Sequence, residues 1–132
     1  MSPALEAAVG SAKSFRDLNV WRESMLLVED VYAVTRRFPQ DERFGLTSQL
    51  RRAAVSIPSN IGEGARRRRR GPFRYFLRVA LGSQGELEVQ LEIAFRLTYC
   101  SASDYGRLMK RTSDVGRMLT GLLESQKEAD EG

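Results

Sequence analysis

Apolar residues recur every three or four positions in four separate segments of the chain, a spacing that places them on one buried face of a helix. The first segment runs from Phe15 to Arg37 and ends at Phe38-Pro39, because proline disfavours a helical residue before it. Its apolar face is formed by Leu18, Trp21, Met25, Val28 and Tyr32. The period-two alternation that would indicate strands is missing.

The second segment extends from Thr47, predicted as its N-cap, to Gly64. Its apolar side is formed by Leu50, Ala54, Ile57 and Ile61. Pro58 falls in the middle of this helix, where it removes a hydrogen bond and clashes with the carbonyl four residues earlier. We therefore expect a kink near Pro58, with Ser56 or Ser59 helping to satisfy freed carbonyls, or else a break into two shorter helices.

The third and fourth segments have the same helical spacing. The third begins at Pro72, a favourable first-turn residue, and reaches Thr98. Its core positions are Phe73, Phe76, Ala80, Leu87, Leu91 and Ala94. The fourth runs from Ser103, predicted as an N-cap with Asp104 behind it, to Lys127. Its core positions are Tyr105, Leu108, Thr112, Val115, Leu119 and Leu122.

Four amphipathic helices joined by short connections predict an all-α fold, an antiparallel up-and-down four-helix bundle over residues 14–127. Residues 1–13 and 128–132 are predicted to be disordered tails. The chain has 132 residues, of which 42% are hydrophobic, and this suffices for one core and one domain. It has no membrane-length apolar run, no signal-peptide pattern and one cysteine, Cys100, so we expect a cytoplasmic protein.

The positive charge is concentrated in one stretch, GEGARRRRRGPF at positions 62–73, which we predict to form a basic loop between the second and third helices. The formal net charge is +4, and the run of Arg66, Arg67, Arg68, Arg69 and Arg70 contributes +5, which leaves −1 for the remainder. Basic residues near a helix C-terminus favour its macrodipole, but this benefit fades beyond the last turn and accounts for one or two arginines. Five adjacent cations repel one another, and a polyanion relieves that repulsion.

The arginine run predicts a nucleic-acid site that contacts phosphate rather than base edges, since the chain has no standard recognition motif. Arg74 and Arg78 on the next helix would extend the site. Arg51 or Arg52 would do so as well if they face it. Tyr75 offers a side chain on which a base can stack. The alternatives are a solvated connection between two helices and a basic segment that docks an acidic protein.

Catalytic chemistry is not indicated. The chain has no histidine, which removes the commonest general base and the usual metal ligand. Glu86 points away from Glu88 and Glu92 on a helix, so these carboxylates do not converge on a substrate. Cys100 has no adjacent basic residue to lower its pKa. We expect no catalytic residues, metal, cofactor or small-molecule substrate.

Helix two also carries a polar face. At about 100° per residue, one side of it gathers Gln49, Arg52, Ser56, Ser59, Asn60 and Glu63. This face is either a ligand groove between helices or, alternatively, a solvated surface or an internal hydrogen-bond network that supports Pro58. Helical spacing alone does not separate these interpretations.

A second face of helix three lies opposite its core positions. It is formed by Arg78, Gly82, Gly85, Val89 and Ile93. Each glycine inside a helix costs roughly 1 kcal/mol relative to alanine, so the close approach of another helix should offset that cost. Because the core side of this helix is already occupied, we expect the stretch from Gly82 to Ile93 to contact another subunit.

Three stretches of the sequence resemble a known family. They are FRDLNVW (15–21), FPQDERFGLTSQLRRAAVSIPSNIGEG (38–64) and ALGSQGELEVQL (80–91). They are similar to the four-helix-bundle proteins of the 23S rRNA intervening-sequence family, and the resemblance extends from Phe15 to Leu123. It implies an up-and-down four-helix bundle without known catalytic residues. A similar bundle is the accessory protein of the reverse transcriptase in diversity-generating retroelements, where it forms a basic pentameric ring that binds nucleic acid.

The resemblance therefore implies a homo-oligomer, with a pentamer as the expected assembly, and a nucleic-acid partner. Relatives commonly have a mixed serine- and lysine-containing segment where this chain has Arg66 to Arg70, which favours phosphate contact here. The combined prediction is a non-enzymatic, oligomeric helical bundle that binds nucleic acid, with RNA or an RNA–protein complex favoured. The alternative is a protein-interaction scaffold that docks an acidic partner and has no nucleic-acid role.

Overall fold

The computed structural model describes residues 14–131, with side chains to Lys127, and this part of the chain contains helices and no strand. The four α-helices are α1 (Asn19–Thr35), α2 (Leu46–Arg67), α3 (Arg70–Arg96) and α4 (Ala102–Glu131). Two short 3-10 turns, Phe15–Asp17 and Gln40–Glu42, precede α1 and α2. The predicted all-α, four-helix architecture is confirmed. The tail predicted for residues 1–13 lies outside the described residues, and α4 continues beyond Lys127 to Glu131.

The helices form a closed bundle in which each packs on the next and α4 packs on α1. Contacts between α3 and α4 run in opposite directions along the two helices. The Arg74 side chain donates to the carbonyl of Leu123, late in α4, whereas Gln84 donates to the carbonyl of Thr112, earlier in it. This reversed order is that of antiparallel neighbours. Among residues 14–131, none of the helices combines the length and apolar content needed to cross a membrane.

The core follows the predicted spacing closely in three of the four helices. All four apolar positions predicted on α2 are fully buried, and so are most of those on α3 and α4. The predicted core residues of these helices that remain only half-buried are Phe76, Tyr105 and Leu122. Burial of these apolar surfaces supplies the main free energy of folding, at roughly 25 cal/mol per Å².

The buried face of α1 differs from the prediction. Its buried residues are Val20, Ser24, Leu27, Val31, Val34 and Thr35. Leu18, just before the helix, is buried as expected, but Trp21, Val28 and Tyr32 are half-buried and Met25 is exposed. α1 carries two apolar stripes at helical spacing, and the inner one contains Ser24. This serine is tolerated there because its hydroxyl donates to the Trp21 carbonyl at 2.7 Å.

The predicted helix starts all differ from the structure in detail, since α1 begins at Asn19 and not at Phe15, and α3 begins at Arg70 and not at Pro72. Thr47 is not the N-cap of α2; it is a buried residue in the first turn, and Gly45 occupies the cap position. Since glycine has no side chain to cap with, the Glu42 carboxylate accepts the N–H of Leu46 at 3.1 Å instead. In α4 the capping serine is Ser101, whose Oγ accepts the Asp104 N–H at 3.0 Å, and not Ser103.

Pro58 lies within one uninterrupted helix, so the expected alternative of a break into two shorter helices is wrong. Neither serine beside it satisfies a carbonyl as we expected. Ser59 is exposed, and the Ser56 hydroxyl pairs with a side chain of α3. It is Asn60 that contacts a carbonyl, with Nδ2 2.8 Å from the oxygen of Ser56. The kink near Pro58 stays a prediction.

Candidate nucleic-acid interface

The five consecutive arginines do not form a loop. Arg66 and Arg67 belong to the last turn of α2, and Arg70 is the first residue of α3. Only Arg68 and Arg69 connect the two helices. The reversal is this short because Arg68 adopts a left-handed backbone, with φ at 53°, and its N–H donates to the Ala65 carbonyl at 3.3 Å. The arginines therefore lie at two adjacent helix ends, and the short connection keeps them close to one another.

The side chains of the run differ in their surroundings. Arg67 pairs with Glu63 at 2.8 Å, and its guanidinium lies 5.3 Å from the centre of the Phe76 ring. Arg70 is half-buried. Arg66, Arg68 and Arg69 are exposed, and within residues 14–127 none of these three forms an ion pair. We call these three side chains the free arginine triad.

The two helix ends have opposite electrostatic effects on these arginines. Arg66 and Arg67 lie at the C-terminus of α2, where a cation is favoured by about 0.3–1 kcal/mol. Arg70 lies at the N-terminus of α3, where the partial positive charge of the helix disfavours a cation. Helix electrostatics thus account for the start of the run and not for its end.

Three further predicted site residues, Arg74, Tyr75 and Arg78, lie on the first three turns of α3. Arg74 is half-buried and its Nη1 donates to the Leu123 carbonyl at 3.0 Å, so it also ties α3 to α4. Arg78 is exposed. Tyr75 is 58% exposed and packs edge-on against Phe76, which leaves ring surface open to a stacking partner. The structure thus brings Arg74, Tyr75 and Arg78 to the same end of the bundle as the triad.

Arg51 and Arg52 do not extend this basic end. They lie about 22 Å along α2 from the arginine run. The Arg51 Nε donates to the Thr35 hydroxyl at 2.9 Å, and its guanidinium lies 4.5 Å from the centre of the Tyr32 ring. The conditional prediction that either residue would join the patch is therefore wrong.

The polar face predicted on α2 is divided between different surroundings. Ser56 Oγ lies 2.7 Å from Ser83 Oγ of α3 and accepts from Asn60 Nδ2 at 3.0 Å, which makes a small network between the two helices. Gln49, Arg52 and Ser59 are exposed. Glu63 pairs with an arginine of the run, as described above. These residues do not converge on one pocket.

Two grooves follow one another along this face of α2, on the side of α1, and both are lined in part by Val55. A groove of about 470 Å³ includes Ser59 and Glu63 together with Trp21 and Met25 of α1. Another, of about 540 Å³, includes Arg52 and Ser56. The half-buried Trp21 and Val28 of α1 therefore pack against the edge of the core and also line a groove, which explains why the outer apolar stripe resembles a core stripe in sequence.

The glycine face of α3 is open. A Cβ atom added at Gly82 or at Gly85 would meet no atom within 4 Å. Val89 is 61% exposed and Ile93 is 43% exposed on the same side of the helix. Within the described residues, no helix of the same chain therefore approaches this face closely enough to explain the two glycines.

The carboxylates that could serve in catalysis have hydrogen-bond or ion-pair partners, and the one cysteine is held as a neutral thiol. Glu88 accepts from Gln84 at 2.8 Å, and Glu92 pairs with Arg96 at 2.7 Å. Burial first, and then the charge of Asp104, raise the pKa of the Cys100 thiol, which disfavours the nucleophilic thiolate. In the described part of the chain, no group of three or more histidine, cysteine or acidic side chains is placed to hold a metal ion.

Comparison with known proteins identifies the family. The pattern described as 23S rRNA-intervening sequence protein matches residues 16–121, which is most of the chain. The chain belongs to this family. The resemblance inferred from the sequence is thereby confirmed, and the family match covers the arginine run, the glycine face and most of both grooves beside α2.

One solved structure similar to this 23S rRNA-intervening sequence protein is the crystal structure of a protein of unknown function from the S23 ribosomal protein family of Bacteroides thetaiotaomicron. The two superpose with a TM-score of 0.71 over 79% of this chain and 97% of that one. Their sequences are 22% identical, so the likeness shows a shared fold. A search among functionally curated proteins finds no match.

Proposed function

We propose that this chain is a non-enzymatic nucleic-acid-binding protein that holds phosphate groups with the arginine-rich end of its bundle, and that RNA is its partner. The observation that carries the proposal is the free arginine triad. Three exposed guanidinium groups are held near a two-residue connection, and none of them forms an ion pair with a carboxylate of residues 14–127. Such concentrated charge creates a strong local positive potential.

The physical reason for binding is the release of counterions. Arginines packed this closely repel one another in the free protein and gather anions from solution. A phosphate backbone neutralises them and releases those anions together with its own cations, so the affinity depends steeply on salt. Guanidinium groups also hold phosphate through paired hydrogen bonds, which suits arginine better than lysine.

The side chains would divide the work according to their surroundings. Arg66, Arg68 and Arg69 would make the principal phosphate contacts, with Arg67 and Arg70 adding to the potential. Arg78 would extend the contact along α3, and Tyr75 would stack on a base. Arg74 would contribute mainly by positioning, because it already holds a carbonyl of α4. Contacts of this kind depend on the positions of the phosphates and the shape of the nucleic acid, so the protein should have little preference for base sequence.

RNA is favoured over DNA by the family description, which names the 23S rRNA intervening sequence. Assembly would strengthen the binding. Copies joined through the open face of Gly82, Gly85, Val89 and Ile93 would present several arginine-rich ends to one strand, and linked weak sites gain affinity through effective concentration. A homopentamer in the cytoplasm is the assembly we propose.

The test is fluorescence anisotropy with a structured RNA and a duplex DNA, each at several salt concentrations. The wild-type protein is compared with a variant carrying glutamine at positions 66 to 70. A matched control carries five glutamines at exposed arginines elsewhere, which changes the net charge equally. These control positions are Arg16, Arg22, Arg36, Arg96 and Arg117.

We expect the wild-type protein and the control to bind RNA with a steep salt dependence. The variant at positions 66 to 70 should bind more weakly, and its slope should be shallower by about 0.7–0.9 for each phosphate that it no longer neutralises. Equal weakening in the variant and the control would show that only net charge matters and would reject the site. Absence of RNA binding, together with an acidic protein that co-purifies through the arginines, would favour the scaffold alternative.

A further inference from the structure

We infer that the groove at the opposite end of α2 is a second site, which binds a nucleoside phosphate with Arg51 and Arg52 on the phosphate and Phe44 on the base. This Phe44 groove, of about 540 Å³, is lined by Tyr32, Arg43, Phe44, Thr47, Arg51 and Arg52. Pockets of this size accommodate small ligands. The site does not rest on the proposed function of the arginine run, because the two lie about 22 Å apart along α2.

Arg51 is held in place before any ligand arrives. Its Nε donates to the hydroxyl of Thr35, a buried residue, and its guanidinium lies 4.5 Å from the centre of the Tyr32 ring. These two contacts hold the guanidinium in place at the wall of the groove, which Arg51 lines. An arginine fixed in this way loses little conformational entropy when it binds an anion.

The groove is strongly cationic. Three arginines line it, and no carboxylate does among the described residues. Glu42 lies nearby at the start of α2, but its two oxygens are engaged by the N–H of Leu46 and by the hydroxyl of Tyr99, at 3.1 and 2.7 Å. A lining of three cations with no carboxylate among them favours a bound anion, and the planar fork of Arg51 suits the oxygen pair of a phosphate.

Phe44 supplies the aromatic surface. It is 84% exposed, more than any other large apolar side chain of the described residues. The Arg43 guanidinium lies 4.6 Å from the centre of its ring and covers one face. The other face is open, and a base stacking there would be held as bases are held on aromatic platforms of single-strand-binding proteins.

Thr47, in the first turn of α2, also lines the groove. Together, the fixed Arg51, the cationic lining and the open ring of Phe44 match one phosphate joined to one planar base. The same unit is presented by a free nucleotide and by a nucleotide within a single strand.

The binding test uses the full chain with glutamine at positions 66 to 70, so that the arginine run cannot contribute. Calorimetric titrations compare adenosine monophosphate, adenosine, inorganic phosphate, a hexameric single-stranded oligoadenylate and polyglutamate. We expect the monophosphate to bind at least about tenfold more tightly than adenosine or inorganic phosphate alone, because each of those lacks half of the recognised unit.

Two surface substitutions identify the site without disturbing the core. Phe44→Ala should weaken monophosphate binding about tenfold because the base has no ring to stack on, and Arg52→Gln should weaken it severalfold and reduce its salt dependence. The matched controls Phe95→Ala and Arg36→Gln, at exposed positions outside the groove, should leave binding unchanged. Circular dichroism confirms that each variant is folded.

The results distinguish a free nucleotide, a nucleotide within a single strand and an acidic peptide as the ligand of the groove. If the oligoadenylate binds more than six times as tightly as the monophosphate, the site holds a single strand. If its affinity per nucleotide equals that of the monophosphate, the site holds free nucleotides. Monophosphate binding that survives Phe44→Ala combined with Arg52→Gln overturns the proposal. So does polyglutamate that binds more tightly than the monophosphate and displaces it, since the groove would then take an acidic peptide.

Discussion

The hydroxyl oxygens of Ser56 on α2 and Ser83 on α3 lie 2.7 Å apart, across an interface formed mainly by apolar side chains. Asn60 donates to the same Ser56 oxygen at 3.0 Å. Ser83 is buried and Ser56 is half-buried, so each hydroxyl depends on the other for a partner that water cannot fully replace. The pair therefore fixes the position of α2 along α3 in a way that apolar contacts do not.

Removal of one hydroxyl from this pair should destabilise the bundle. We expect Ser83→Ala to lower the free energy of unfolding by about 1 kcal/mol, because the Ser56 hydroxyl keeps only its bond from Asn60 and loses its partner on α3. Ser59→Ala, at an exposed position of the same helix as Ser56, should change it by less than about 0.5 kcal/mol. Urea denaturation measures both. A double-mutant cycle of Ser56→Ala and Ser83→Ala that is strictly additive would contradict the coupling.

Gly64 marks a close approach of α2 to α3. A Cβ atom there would lie 2.8 Å from the Cβ of Phe76 and 3.3 Å from a ring carbon of Phe73. Gly64→Ala should therefore destabilise the protein by about 1–3 kcal/mol through overpacking. Gly121→Ala, in open space on α4, should instead stabilise it by up to about 1 kcal/mol through helix propensity. Equal effects in thermal denaturation would disprove the close approach.

The open glycine face predicts the effect of bulk on assembly. Gly82→Leu should reduce the molecular mass measured by light scattering, because the leucine would keep a second copy from approaching the helix. The fold itself should remain intact, since nothing in the described part of the chain lies near the added side chain. Gly121→Leu is the matched control on α4. An unchanged mass for Gly82→Leu would show that subunits do not meet at this face.

Glu42 should make stability depend on pH. The N–H of Leu46 first, and then the hydroxyl of Tyr99, lower the pKa of Glu42 below its ordinary value of 4.5. Because the folded pKa is the lower one, this contribution to stability is present above the unfolded pKa and is lost as pH falls through the folded pKa. Glu42→Gln should therefore flatten the loss of unfolding free energy below about pH 5, whereas Glu86→Gln, at an exposed position, should not.

The Tyr99 phenol gives an independent measurement of the same contact. Its hydrogen bond to Glu42, the largest cause, raises the pKa of Tyr99 above 10.0. The neutral phenol is thus favoured in the folded protein, and this stability is lost as pH rises through the folded pKa. In Glu42→Gln, the ultraviolet titration of Tyr99, isolated by subtraction of a Tyr99→Phe variant, should shift to lower pH. An unshifted titration would mean that the contact is not formed in solution.

Much of the fold follows from local pattern because three helices each have a single apolar stripe. On α2, Leu50 and Ile57 could lie only toward the core, and they do. On α1 the pattern is ambiguous, since the stripe of Trp21 and Met25 and the stripe of Leu27 and Val31 have the same period. The choice between them is made by tertiary packing, and the polar Ser24 obscures the inner stripe in the sequence.

The candidate sites were less accessible to sequence reasoning. Composition located the arginine run, but only the structure shows which guanidinium groups are free, because that depends on where α2 ends and on the reach of Glu63. The sequence analysis did not single out Phe44. An aromatic residue between Arg43 and Gly45, outside every predicted helix, was the available signal, but its exposure depends on the turn that precedes α2.

At position 68, the residue that would best stabilise the fold differs from the residue that supplies the positive charge. A left-handed conformation costs an arginine about 1 kcal/mol, and glycine would adopt it at no such cost. Any selection for thermal tolerance alone would therefore replace this residue and remove a third of the free arginine triad. Heat resistance and affinity for a polyanion should thus trade off at this connection, and a variant library screened for both would separate into two populations at position 68.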